Sequence, residues 1–344
     1  MHRKLLRTAA GVTVLGGIVT LGLGSTQAAL ASPAPTFVPC PTSLSTAISS
    51  ASSGAVLILA PGCTYWLTES GLAVDGKELT IVGHHATIAR SYAEDTPPFS
   101  IFSVTSGGNL TLNDVNVRNG DGDDDGGAIS NVDGFVTING GTFSHNDGTD
   151  GGAVYNDDGI GTLTVNGAAF YDNDASGDGG AIYNVDGSTV TIHGGSFTDN
   201  DATDNGGAIY NDHTLTVDGA NFTHNSGEDG GAIFSENDDP TISGGTFVQN
   251  YATDDGGAIF NDGSLTVTYA KMYLNTAEWG GGVYNDEDGN VTLTGDAIMF
   301  NHVSEEDGGG GIYNDVDGTV TLTGGWVLFN TPDNCDPAIA GCTG

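Results

Sequence analysis

From residue 76 to residue 330 the chain alternates apolar and polar residues in short segments, separated by clusters of Gly, Asp and Asn. "VTIN" (136–139), "LTVN" (163–166), "VTIH" (190–193) and "LTVD" (215–218) are typical. A period of two belongs to strands, and no segment is long enough for a helix. The separators carry turn chemistry. The alternation also repeats at long range. A Gly-Gly-Ala-type motif starts at 126, 151, 179, 206, 230, 256, 280 and 309, in steps of 24 to 29 residues. A second motif keeps pace with it: "FSHN", "FYDN", "FTDN", "FTHN" and "FVQN", then "MYLN", "IMFN" and "VLFN". The third is an apolar–Thr–apolar triplet, centred on Thr80, Thr111, Thr137, Thr164, Thr191, Thr216, Thr241, Thr266, Thr292 and Thr321.

Three strands and three turns per unit make one rung of a coil. Stacked rungs bring equivalent strands side by side at about 4.8 Å. The usual handedness of parallel connections makes the coil right-handed. The pattern therefore predicts an all-β fold, a single-stranded right-handed parallel β-helix of about ten rungs with three strands per rung. Its inward columns are Leu163/Val165, Val190/Ile192 and Leu215/Val217 on one wall. Phe143, Phe170, Phe197, Phe222 and Phe247 form the second, and Ile129, Val154, Ile182, Ile209, Ile233 and Ile259 the third. One rung buries too little apolar surface by itself; the stack buries a continuous core. Two asparagine columns accompany the walls, Asn146 to Asn275 and Asn156 to Asn314, the latter broken by Ser235. Asparagines at corners can bond the neighbouring rung and satisfy turn amides.

The ends must be covered, because an open rung exposes strand edges. "PTSLSTAISSAS" places Leu44, Ala47, Ile48 and Ala51 at helical spacing, with Ser or Thr available as N-cap. This predicts a short helical lid, followed by the strand "AVLILAPG". The expected organisation is a signal peptide over 1–31, a cap and first strand over 32–75, the β-helix over 76–330 and a terminal cap over 331–344. The signal peptide follows from Arg3, Lys4 and Arg7, the apolar run after them and the small residues Ala29–Ala31. No transmembrane segment is expected after its cleavage, and the location expected is secreted, extracellular.

Charge narrows the partners. The formal net charge is −37, and removal of the three leader cations takes it to −40. Lys77, Arg90, Arg118 and Lys271 are then the only fixed cations. Nucleic acid and anionic membranes are disfavoured as partners. Four cysteines in an exported chain allow disulfides, in three pairings. The chain ends should lie at opposite ends of a solenoid, which favours Cys40–Cys63 and Cys335–Cys342.

The interleaved "GGAI" and "FxxN" motifs resemble the repeats of the polymorphic outer membrane protein family. The layout from "CPTSLSTAISSA" and "LAPGCTY" to "NTPDNC…GCTG" is similar to that of small exported bacterial right-handed β-helix proteins. The resemblance covers nearly all of the chain after the leader. It implies the β-helix, and adhesion or surface display as function. The C-terminal barrel of the outer-membrane members is not expected here.

Several outward features are candidates for function. Acids crowd two corners. Asp125, Asp150, Asp178, Asp204, Asp229 and Asp255 belong to the first, which also holds Asp174 and Asp201; Asp157, Asp158, Asp186, Asp238 and Asp286 belong to the second. Like charges at this spacing repel by roughly 3 kcal/mol per contact at an effective dielectric near 20, less once screened. The corners are either a solvated surface that discourages edge aggregation or a column of Ca²⁺ ligands bridging turns. Tyr155, Tyr183, Tyr210, Phe234, Phe260, Tyr284 and Tyr313 point outward and form a candidate sugar-stacking ladder; the alternative is aromatic stacking that only stabilises the sheet. Outward threonines such as Thr162, Thr189, Thr214 and Thr319 raise ordered water or ice as a ligand, although Thr is also simply a good strand residue. His145, Asp172, Asp199 and His224 should share a column, the two acids about 5 Å apart, which suits a retaining glycosidase pair. Many β-helix proteins are pectin lyases or polygalacturonases, but the four cations here are too scattered for a lyase base, and fold alone supplies no activity. The sequence thus favours an exported, non-catalytic, adhesin-like β-helix that meets a cell-surface or matrix carbohydrate or protein, with Ca²⁺ as its one candidate cofactor. A polysaccharide-active glycoside hydrolase or lyase is the alternative.

Overall fold

The computed structural model describes residues 33–342 apart from 158, 237 and 238, and Asp124 by its backbone alone. The expected signal peptide, Asp158, Asp238 and the last two residues of the terminal cap lie outside the described residues.

Each rung is built from short strands, as in Val154–Asp157, Thr162–Asn166, Ala169–Tyr171 and Asp174–Ala175. These define an Ile face, a Thr face, a Phe face and a narrow strip. Every strand pairs in parallel with its equivalents one rung before and after: Thr164 with Thr137 and Thr191, Phe170 with Phe143 and Phe197, Tyr183 with Tyr155 and Tyr210. Among the described residues the Ile face holds eleven strands, which sets the solenoid at eleven turns. The Thr and Phe faces form one sheet, because Glu78–Arg90 and Asn109–Arg118 run through both around the bend.

The strip is one strand more per rung than the pattern reveals. In it Ala175, Ala202, Ala252, Ala277 and Val303 are buried, the last three in a small cluster separate from the main core. Two residues are too few to display an alternation, and Ala is a weak apolar signal, so the segment reads as a corner. The coil also starts earlier than residue 76, since Ala55–Leu59 already pairs with Glu78–Arg90.

All three predicted walls are inward. Phe143, Phe170, Phe197, Phe222 and Phe247 are fully buried, and their rings stack at centroid distances of 4.7 to 5.2 Å. The asparagines solve the main cost of a stacked coil, which is burying turn amides. Asn173 Nδ2 donates to Asn200 Oδ1 at 2.8 Å and to Phe143 O at 3.1 Å; its own Oδ1 accepts from Asn146 N and Nδ2. This pattern repeats rung by rung and extends past Asn275 to Asn301 and Asn330. The second column bonds likewise through Asn131, Asn156, Asn184 and Asn211, and resumes at Asn261 and Asn285. Gly is required where rungs crowd: Gly179 has φ +64°, and a Cβ on Gly180 would lie 2.2 Å from Gly207 O.

The N-terminal lid is a single turn-and-a-half helix, α1 (Leu44–Ser50), whose N-cap Ser43 accepts from Thr46 N and whose Leu44 and Ile48 are buried. A strand at Thr36–Val38 adds to it by pairing with Ala55–Leu59. Cys40–Cys63 and Cys335–Cys342 are both bonded.

Candidate functional site

The seven outward aromatics do form a ladder on the Ile face. Successive centroids are 4.7 to 5.4 Å apart and ring planes differ by 20° or less. Stacked this closely, each ring covers its neighbours' faces, and Phe234, Phe260 and Tyr284 are buried in a small outer cluster with Trp279 packed against it. The five inner rings are left with only their edges to meet a ligand. A sugar stacks on a ring face, so this geometry removes the reason for placing a glycan there. The hydroxyls turn to the flanking acids: Tyr155 donates to Asp157 at 2.7 Å and Tyr210 to Glu236 at 2.6 Å. Burial first, and those carboxylates next, push both phenols upward.

The first acidic corner runs along one side of the ladder. Three of its acids cap backbone N–H groups of the next rung. Asp150 Oδ1 accepts from Asp178 N at 3.0 Å, Asp178 Oδ1 from Asn205 N at 2.8 Å, and Asp229 Oδ1 from Asp255 N at 2.9 Å. Asn205 stands where Asp204 was expected; Asp204 lies one position earlier, level with Gly177, whose carbonyl accepts from Asp204 N. Burial, then the charge of Asp229, lifts Asp255 to about 8, and one of its oxygens is buried without a partner. Asp229 rises to about 6, chiefly by burial. Among the described residues no cluster of three or more His, Cys, Asp or Glu could hold a metal ion.

His145, Asp172, Asp199 and His224 share a column at the corner after the Phe face. All four have left-handed backbones, φ 52° to 55°. His145 Nε2 lies 3.0 Å from Asp172 and His224 Nδ1 3.7 Å from Asp199, so the four residues form two His–Asp contacts on an open surface. The clefts beside α1 and the one next to Phe99 and Asp123 are not lined by these acids. The scattered cations are engaged separately. Lys77 donates to Ile48 O, Arg90 pairs with Asp121, and Arg118 lies over Trp66. Paired outward threonines run unbroken only through Thr162, Thr189 and Thr214; Ser264 and Asn290 occupy the later rungs before Thr319.

One surface escapes the motif reading. The corner column continues from His224 through Gln249 to Leu274, Phe300 and Phe329, all with φ of 57° to 62°. Asp, His and Gln give way to large apolar residues, which remain 50 to 65% exposed. On the same rungs Tyr273, Met299 and Leu328 replace the Thr198 and Thr223 of earlier strands. Trp326 stands at the end of the column of Ser196, Asn221 and Thr246. The signal was present in the third letters of "MYLN", "IMFN" and "VLFN", against "FTDN" and "FTHN".

Against this geometry the comparisons with known proteins are specific but local. The model of the Chlamydia polymorphic membrane protein repeat matches residues 194–212 and 244–262. Each match spans one Phe-face strand, its corner Asn, the strip and the following Gly-Gly-Ala-Ile turn into the Ile face. The chain is therefore a β-helix protein carrying repeats of the polymorphic membrane protein type. That repeat type and the stacked fold point to a protein exposed at the outer surface of a membrane. No curated protein and no solved structure matches the chain. No helix among the described residues is long and apolar enough to cross a membrane.

Proposed function

We propose that the chain works at the cell surface or in the surrounding matrix as a non-catalytic, adhesin-like interaction protein. Its expected place is extracellular, and its partners are surface carbohydrates or proteins. The observation that supports this most is the coincidence of polymorphic membrane protein repeats with an unbroken stack whose outward residues form flat, solvent-facing sheets. Such a scaffold offers area rather than a pocket. The acids at its corners are committed to backbone N–H groups, to histidines or to solvent, so they keep the long sheets soluble. The reading does not need Ca²⁺.

The test is binding of the labelled full chain to intact cells and matrix-coated surfaces, alongside a polysaccharide depolymerisation screen. Saturable binding without product release is expected. Depolymerisation that Asp172→Ala abolishes would overturn the reading in favour of a glycoside hydrolase.

A further inference from the structure

We infer that the last three rungs of the Phe face carry a docking site for an uncharged glycan chain, with Tyr269, Trp326 and Phe329 as its stacking platforms. This rests on the adhesin-like reading and gives it a place and a ligand chemistry.

Neither folding nor chance composition explains these residues. Tyr269 occupies a turn column that is Gly at 140, 167, 194, 219, 244, 295 and 324, and it holds φ +58°. Phe329, at φ +62°, takes a corner held in earlier rungs by Asn, His or Asp, residues that tolerate the left-handed region. A large apolar side chain at such a position strains the backbone without gaining burial: Tyr269 is 70% exposed, Trp326 66% and Phe329 65%. Two independent columns depart from their pattern on the same few rungs of the same face. That coincidence points to contact with something outside the chain.

Ring geometry says what kind of contact. A Cβ built on Gly295 would meet Tyr269 Cδ1 and Cε1 at 2.7 Å, so the tyrosine rests one ring edge against that turn and leaves the remainder of its surface open. Phe329 stacks on Phe300 at 5.4 Å and is still 65% exposed. These rings keep far more open surface than the buried middle of the Ile-face ladder. Open aromatic surface on a flat sheet suits the C–H faces of sugar rings.

Charge selects among ligands. Segments 269–274, 297–300 and 326–329 contain no Asp or Glu and one cation, Lys271, on a chain of net charge −37. A polyanion would be repelled by the rest of the surface. An uncharged chain matches an uncharged patch. A second copy fits less well. Three rungs at about 4.8 Å cover only about 14 Å of the axis, whereas a stable dimer buries about 800 Å² per partner, and each copy would bring its own carboxylate rows.

The test uses the full chain and a variant returned to the residues of other rungs, Tyr269→Gly, Trp326→Thr and Phe329→Asn. These changes relieve the left-handed positions, so folding should be kept; an unchanged or raised melting temperature checks this. Wild type and variant are titrated with cello- and chito-oligosaccharides, followed by an array of uncharged glycans, with polygalacturonate and phosphatidylcholine vesicles in parallel. Binding of an uncharged glycan that weakens about tenfold or more in the variant is expected. Equal binding by both proteins, preference for the polyuronate, or capture by vesicles alone would overturn the site. If no uncharged glycan binds while intact cells still do, this inference falls and the adhesin reading stands; if cells are not bound either, both fall.

Discussion

Two sets of outward aromatic residues stand on this solenoid, and they differ in what their rings touch. On the Ile face, Tyr155 to Tyr313 stack face to face through seven rungs, and the middle of the ladder is buried. On the Phe face, Tyr269, Trp326 and Phe329 appear only near the end, at turns or strand starts, each about two-thirds exposed. The first set is a second, external core. Its rings serve the stack, as the phenylalanines do inside. The second stays at the surface: Phe329 stacks only on Phe300, itself half exposed, and Tyr269 rests against the Gly295 turn. An aromatic residue repeated in every rung is thus explained by its neighbours, while one that breaks its column's pattern needs an outside partner.

The comparison can be broken most forcefully at the ladder. Phe260→Ala should cost about 3 kcal/mol of stability, read as a lower urea midpoint, because it removes buried area and two stacking contacts at once. Binding to cells below the melting transition should be unchanged.

A smaller effect is expected at the acidic edge of the ladder, and it depends on pH. Asp147, Asp229 and Asp296 are lifted to about 6 and Asp255 to about 8, in each case chiefly by burial. A carboxyl raised in the folded state holds its proton more tightly folded than unfolded. Its stabilising contribution is complete below the unfolded value near 4 and is lost as pH rises through 6 to 8. The melting temperature should therefore fall between pH 5 and pH 8. Asp255→Asn should raise stability by about 1–2 kcal/mol at pH 8 and leave it unchanged at pH 3, below the unfolded value. Asn205 already fills this place in another rung, so the amide fits the column.

At the patch the sign reverses. Tyr269→Gly should leave stability unchanged or raise it by up to about 1 kcal/mol, by relieving a left-handed backbone. Thermal melts of the single variant would reveal it. Smallest of all is the metal effect. With three of the corner acids capping backbone amides and no metal-holding cluster among the described residues, chelator should not move the melting temperature; a rise on adding Ca²⁺ would assign the corners to the ion.

Most of the architecture was legible because the repeat shows itself many times. Phe170 over Phe197, the ten threonines in register and the asparagine ladders all follow from spacing alone. The strip was hidden because two residues such as Asp174–Ala175 cannot show a period. The placing of Asp204 failed because Asn205 holds the column position in that rung, and Asp and Asn read alike as turn residues. The functional surface was the hardest to read. A motif search rewards agreement, and the aromatic ladder agrees in every rung. Leu274, Phe300 and Phe329 announce themselves by disagreement, and their exposure could not be known until the left-handed corner had been placed in space.

The most direct measurement puts the two sets side by side: binding of wild type, Phe260→Ala and Phe329→Asn to the same cell surface, each with its melting temperature. The account predicts that Phe260→Ala melts lower and binds as wild type, while Phe329→Asn melts as wild type or higher and binds weakly. Lost binding in the ladder variant with full binding in the patch variant would contradict it.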